Sequence, residues 1–320
     1  MSNTIDSEVP LAAPWRPYIA IARVDHWVKN LFLLPGTASA LLFVHPPMQV
    51  LLWHTLLGLA SLCCCASANY TINEYIDGEF DRFHPAKRHR PAALRLLDAR
   101  LVIAQYIGLA AIGLATALLI GQRFAITSAL LLAMGILYNA RPVRTKDTPY
   151  LDVLSESLNN PLRLLLGWFV LVHDILPPSS ILLSYWMGGA FLMAVKRYTE
   201  LRAIADPELA GRYRRSFRHY TEDSLLLSSF FYAICSAFFL GVFLIKYRIE
   251  LLLTFPLFSL MFTWYLAIGL KPNSAAQAPE RLFSERRFMI FVATLCMVVG
   301  TLFYVDIPGL HILVEPITVR

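Results

Sequence analysis

The stretch that decides the fold is VLLWHTLLGLASLCCCASANYTINEYIDGEFD, residues 50–81. Residues 50–73 contain no Asp, Glu, Lys or Arg. A helix needs about 20 apolar residues to cross the hydrocarbon core of a bilayer. Lipid offers no hydrogen bonds to the backbone, so such a run must be a helix and not an open strand. It ends in Glu74, Asp77, Glu79 and Asp81, which cannot stay in hydrocarbon. The stretch therefore reads as a spanning helix whose far end emerges into water carrying carboxylates.

Eight further runs resemble it. The nine expected spans are 28–45, 50–73, 101–121, 124–140, 152–173, 179–198, 223–246, 250–270 and 287–305. The composition agrees: of 320 residues, 57% are hydrophobic and 16% charged, against about 25% charged in soluble domains. Mean hydropathy is +0.55. This excludes a disordered chain and a disulfide scaffold, and nearly excludes an ordinary soluble enzyme. The five cysteines all fall in apolar runs without zinc spacing and read as small packing residues. No cleavable leader is expected, because residues 1–14 lack a basic start followed by an apolar core.

The net charge is +6, and its placement carries the topology. Of the 28 basic residues, 23 fall near the N-terminus, in the connections 74–100, 141–151, 199–222 and 271–286, or at the span ends that border them (Lys196, Arg197 and Arg287). Four lie on the opposite side (Arg123, Lys246, Arg248 and Arg320), and Arg163 lies inside a span. Positive charge marks the cytoplasmic side. The expected protein is all-α and polytopic, in the inner or plasma membrane of a prokaryote. Its N-terminus and long loops face the cytoplasm. Residues 1–15 form a flexible cytoplasmic N-terminus, 16–305 one transmembrane domain and 306–320 a short tail on the other side.

Four constellations carry chemistry, all on the basic side. In the first, Asn73, Asp77 and Asp81 share one helical face at i, i+4, i+8. Carboxylates one turn apart repel without a counterion. Mg2+ suits them, since it binds through one or two carboxylates plus substrate phosphates. Lys87, Arg88 and Arg90 follow and could clamp the phosphates. The plain alternative is a charge-balanced helix end. In the second, Asp152, Glu156 and Asn160 repeat the spacing, with Asn159 and Arg163 as a neighbouring i, i+4 pair. Arg163 lies within the membrane and needs a partner or a polar cavity; a salt bridge to one of these acids is the alternative. Arg144 and Lys146 precede this face as phosphate ligands or as topological charge. The third is Lys196-Arg197-Tyr198, either closing a headgroup site or anchoring at the interface. The fourth places Lys29 and Asn30 just after Trp27. Trp27 suits an interfacial anchor, and Lys29 can reach a phosphate.

These features resemble the UbiA superfamily of intramembrane prenyltransferases. The resemblance rests on nine spans, an Asn-x-x-x-Asp-x-x-x-Asp motif after the second and an acidic motif between the fourth and fifth. It implies a UbiA-like bundle of nine transmembrane helices around a cytoplasm-facing cavity. It also implies that Asn73, Asp77 and Asp81 bind Mg2+ and the donor's diphosphate, with Asp152 and Glu156 as metal ligands or a base. Glu74 stands where the family usually has Asp.

One branch is more similar. Trp27-Val28-Lys29-Asn30, the run from Asp81 to Pro91 and the run from Lys196 to Leu201 resemble decaprenyl-phosphate phosphoribosyltransferases. That implies transfer of phosphoribose from phosphoribosyl diphosphate to a polyprenyl phosphate. Tyr138-Asn139-Ala140-Arg141-Pro142 is instead similar to aromatic and tetrapyrrole prenyltransferases, which keeps prenyl transfer open. The expected partners are a polyprenyl lipid, a small diphosphate donor and the membrane, with no nucleic acid; homo-oligomer formation stays open. A lipid transporter or flippase is the rival from another class. It would need polar groups through the whole depth of the membrane, and the outer halves of these spans are almost wholly apolar.

Overall fold

The computed structural model describes residues 15–313 apart from Ala86, Asn273 and Ala278. The expectation for residues 1–14 and the end of the tail, 314–320, lies outside the described residues. Among the described residues there are helices and no strands. In chain order the α-helices are α1 Arg16–Ile21, α2 Leu34–Ala40, α3 Met48–Asp81, α4 Ala99–Ile120, α5 Gln122–Asn139 and α6 Leu151–Ser157. They continue as α7 Asn159–Phe169, α8 Ser179–Ile204, α9 Pro207–Tyr213, α10 Glu222–Tyr247, α11 Phe255–Leu270 and α12 Arg286–Leu302.

Four helical segments are long and apolar enough to cross a membrane: Met48–Asp81, Ala99–Ile120, Glu222–Tyr247 and Ile249–Leu270. Helix also lies over the other expected spans, and two of those are broken. The expected span 28–45 is a 3-10 helix, Val24–Leu33, followed by the seven residues of α2. Pro35 sits in the first turn of α2 and has no N–H to continue a longer helix. The expected span 152–173 divides into α6 and α7. Pro161 has no N–H to give the Ser157 carbonyl, so the ladder loses a rung where the helix restarts.

Local chemistry sets the helix starts beside the long loops. The Asp98 carboxylate caps α4 by accepting from the backbone N–H of Arg100 at 2.7 Å. Thr221 and Ser224 form a reciprocal capping box at α10, with bonds of 2.9 and 3.1 Å. Glu222 and Asp223 add negative charge to that first turn, where the helix dipole favours it.

The apolar side chains form two main cores. One joins α2, α3, α4, α5 and α7 around Leu62, Phe124 and Trp168. The other joins α8, α11 and α12 around Phe191, Tyr265 and Phe288. A third, aromatic cluster of Tyr198, Tyr213, Phe217 and Tyr220 lies by the loop 205–221. Outward, Leu118 and Leu119 on α4 and Leu227, Phe230 and Phe238 on α10 stay largely exposed. An apolar surface of that extent is what lipid covers. The five cysteines are free thiols inside helices; Cys65 is buried and Cys63, Cys64 and Cys235 are half-buried, as expected of packing residues, whereas Cys296 is exposed.

Candidate functional site

Four elements meet at one end of the bundle: the C-terminal turns of α3 and the loops 82–98, 140–150 and 205–221. The end of α3 and the segments 140–150 and 205–221 line a small polar cavity with Asp77, Phe80, Asp81, Arg144, Lys146, Asp147, Tyr213 and Arg214. The i, i+4 spacing of Asp77 and Asp81 turns both toward it. Gly78 lets the loop close over this turn. A Cβ there would stand 2.7 Å from the Ala92 backbone, so only glycine allows the approach.

Asp77 faces two cations. Its Oδ1 accepts from Arg144 at 3.3 Å and from the Lys146 ammonium. Lys146 also donates to Asn73 Oδ1 at 3.3 Å and to Asn139 Oδ1 at 2.9 Å. Arg144 donates to the Asn139 carbonyl at 2.8 Å and lies 4.5 Å over the Phe80 ring. Burial pulls the Lys146 pKa down to about 8, and Asp77 offsets only part of that loss. Arg90 bridges Asp81, at 3.1 Å, and Glu74, at 2.8 Å. Glu74 takes a second guanidinium, Arg23, at 3.0 Å. Among the described residues, Asp77 Oδ2 and Asp81 Oδ1 accept no hydrogen bond.

The second acidic motif has a different setting. Asp152 is fully buried. Its Oδ1 accepts from Tyr220 at 2.6 Å, and its Oδ2 from Arg197 at 3.2 Å and Ser216 at 3.1 Å. Glu156 accepts from Tyr138 at 2.7 Å and pairs with Arg197 and, at 3.6 Å, with Lys196. Arg197 is buried and also pairs with Glu200 at 3.0 Å. Glu200 accepts from Lys87 at 3.1 Å, and Lys87 also contacts the Tyr213 hydroxyl. Burial works against the Lys87 charge, but Glu200, Tyr213 and Asp81 together outweigh it and hold the pKa above the usual lysine range. The chain Asp152–Arg197–Glu200–Lys87 ties α6, α8 and the loop 82–98 together.

The remaining expected residues divide between these regions and others. Arg88 is exposed and donates to His89 at 3.1 Å, away from the cavity. Tyr198 is buried in the aromatic cluster and accepts from Arg202 at 2.9 Å. Arg163 is held by Asn30 Oδ1 at 3.4 Å and the Asn159 carbonyl at 3.3 Å, so its partners are neutral oxygens. Lys29, next to Asn30, lies 5.8 Å over the Tyr70 ring. Asn160 packs against α8 where Gly189 leaves room.

Sequence reasoning did not single out Asn139, Tyr138, Arg214 or Glu200 as site residues. Tyr138 and Asn139 end an apolar run with two polar side chains, which was the available signal. Nothing local marks Glu200 or Arg214, whose partners are distant in sequence.

The model of the UbiA prenyltransferase family matches residues 32–295. The chain belongs to that family. It is 33% identical over 207 residues to the nodulation protein NoeC of Azorhizobium caulinodans, covering 62% of this chain and 63% of that one. It is 28% identical over 220 residues to the decaprenyl-phosphate phosphoribosyltransferase of Corynebacterium glutamicum, covering 65% and 60%. The matched part thus spans about three-fifths of each relative. A solved structure of a UbiA homolog from Archaeoglobus fulgidus, bound to GPP and Mg2+, shares the fold with TM-score 0.66 and 22% identity. That likeness covers 89% of this chain and 99% of the other. Together with the apolar helices, membership makes this an integral membrane protein.

Proposed function

We propose that this chain is a membrane transferase that moves phosphoribose from phosphoribosyl diphosphate to a polyprenyl phosphate. The observation that carries the reading is the cavity, where Asp77 and Asp81 stand opposite Arg144 and Lys146. Its carboxylates and cations are the groups that hold a metal-bound diphosphate. The named similarity to decaprenyl-phosphate phosphoribosyltransferases supports the same donor.

The residues fit a divalent cation. Among the described residues no three His, Cys, Asp or Glu side chains form a ready metal cage. Mg2+ needs fewer, because it keeps waters and takes substrate phosphates as ligands. Asp77 and Asp81 each offer an oxygen that accepts nothing within the protein, and Asn73 adds an amide oxygen one turn away. When bound, Mg2+ would neutralise charge on the departing diphosphate. Arg144 and Lys146 supply hydrogen bonds to the same leaving group, prepositioned in a site that holds little water. Phe80 and Tyr213 wall the cavity and limit access of water to the developing cation at the anomeric carbon. Lys29, Arg163 and Lys196 are the candidates for the acceptor phosphate. Asp152, Glu156, Arg197 and Lys87 hold the loops in register around the cavity. The bundle is nine-spanning, with the cavity at the cytoplasmic face.

Prenyl transfer from a prenyl diphosphate is the second reading, favoured by the GPP and Mg2+ bound to the structurally similar homolog. One experiment separates the two. Purified protein is incubated with Mg2+, polyprenyl phosphate and ribose-labelled phosphoribosyl diphosphate, then extracted with organic solvent. Label in the lipid phase supports phosphoribosyl transfer. Label that stays aqueous, while a prenyl diphosphate is consumed in a parallel reaction, supports prenyl transfer instead.

A further inference from the structure

A second concavity lies beside the first, between the end of α3 and the segment 207–218. Its lining includes Arg82, Arg212, Arg215 and Arg218, with Phe80 and Phe83 as apolar walls. Glu79 is the one carboxylate in that lining. Loop arginines that serve only as topological charge or interfacial anchors have no reason to converge on one hollow. Here four do, from two separate segments of the chain.

The four are held differently. Arg212 pairs with Glu208 at 2.5 Å, and Arg215 approaches Asp147 at 3.9 Å. Arg82 lies 4.8 Å over the Phe83 ring, which fixes its guanidinium without neutralising it. Arg218 runs across α9 at Gly211, where a Cβ would come within 2.8 Å of its Cγ. Among the described residues, neither Arg82 nor Arg218 forms an ion pair with a carboxylate. Positive charge therefore exceeds negative in the hollow. Arginine's planar fork matches phosphate oxygens in pairs, which a point charge does not.

We propose that this hollow is a second anion site, which binds a phosphate or diphosphate group without a metal. Phe80 walls both cavities, and Asp147 links Arg215 to the margin of the first. An anion in the second site is thus one aromatic ring from the donor site. It can be a soluble diphosphate arriving or departing, or the phosphate headgroup of a membrane lipid.

The test uses the full chain in nanodiscs of zwitterionic lipid with EDTA, titrated with inorganic diphosphate by calorimetry. Saturable binding is expected. It should weaken about tenfold in the doubly substituted Arg82→Gln/Arg218→Gln protein and persist in Lys146→Gln, which alters only the first cavity. If the double variant folds poorly, each single substitution should weaken binding about threefold. Repeating the titration in discs containing phosphatidic acid identifies the source. Competition assigns the site to lipid headgroups, and unchanged affinity assigns it to soluble anions. Binding that is unaffected by both arginine substitutions, or that disappears in Lys146→Gln, overturns the proposal. Neither Mg2+ nor turnover enters the assay, so its failure leaves the transferase reading standing, and the reverse also holds.

Discussion

Two segments of this chain carry the same pattern and meet opposite surroundings. Asn73, Asp77 and Asp81 on α3 share the i, i+4, i+8 spacing of Asp152, Glu156 and Asn160. The Asp77 side chain is 20% exposed and faces a cavity, whereas that of Asp152 is 0% exposed and every oxygen is bonded within the protein. Spacing places side chains on one face. What that face meets decides whether a carboxylate can take a ligand or serves to tie α6 to α8 and the segment 205–221.

The sharpest way to break this contrast is to neutralise each motif in turn. Asp77→Asn should lower transfer by about a thousandfold or more, the loss of roughly 4 kcal/mol of leaving-group stabilisation. Its thermal midpoint should stay near wild type. Asp152→Asn should do the reverse. It leaves Arg197 and Arg214, which lie 3.2 and 3.6 Å from that carboxylate, short of a buried counter-charge, which costs about 3–5 kcal/mol. A lower midpoint in detergent, with turnover per folded molecule less affected, is the expected result. Equal midpoints in the two variants would remove the contrast.

A smaller effect separates binding from folding within the first motif. Lys146→Gln should weaken donor binding about 10- to 100-fold, the worth of a charge-assisted hydrogen bond of about 1.5–3 kcal/mol. Equilibrium binding of a non-reacting donor analogue measures it.

The smallest effect tests the loop that closes over both regions. Burial, helped by the neighbouring Lys87 charge, holds the His84 pKa down at about 4, against about 6.5 in an unfolded chain. The unfolded chain therefore takes up the proton first. Stability from this group is complete above about pH 6.5 and falls as pH drops toward 4. At pH 5.5 the loss is about 1 kcal/mol. His84→Gln should flatten that part of the stability–pH curve, read as the midpoint at pH 7 and 5.5.

The contrast also marks how far the sequence could be read. Residues 50–81 announced α3, because an uncharged run and its acidic end are both local properties. The facing of Asp77 and Asp81 followed from helical spacing alone. The division of 28–45 and 152–173 was harder to see, since Pro35 and Pro161 act on hydrogen bonds and leave hydropathy unchanged. Arg197 was expected at a headgroup and lies inside, on Asp152, Glu156 and Glu200. Which helix faces which is a property of the packed bundle, so its partners could not be named from the local string. Arg88 and Arg90 sit two residues apart, and only Arg90 turns back to Glu74 and Asp81. That choice depends on how the loop closes over Gly78.

The most direct measurement is metal binding at the two motifs, with Mn2+ standing in for Mg2+ and inorganic diphosphate as the second ligand. Electron paramagnetic resonance on wild type, Asp77→Asn/Asp81→Asn and Asp152→Asn would report the bound ion. The expected result is a diphosphate-dependent bound signal in wild type and in the folded fraction of Asp152→Asn, and none in the double variant of the first motif. A bound signal that survives in Asp77→Asn/Asp81→Asn and disappears in folded Asp152→Asn would contradict the assignment of the metal–diphosphate site to α3.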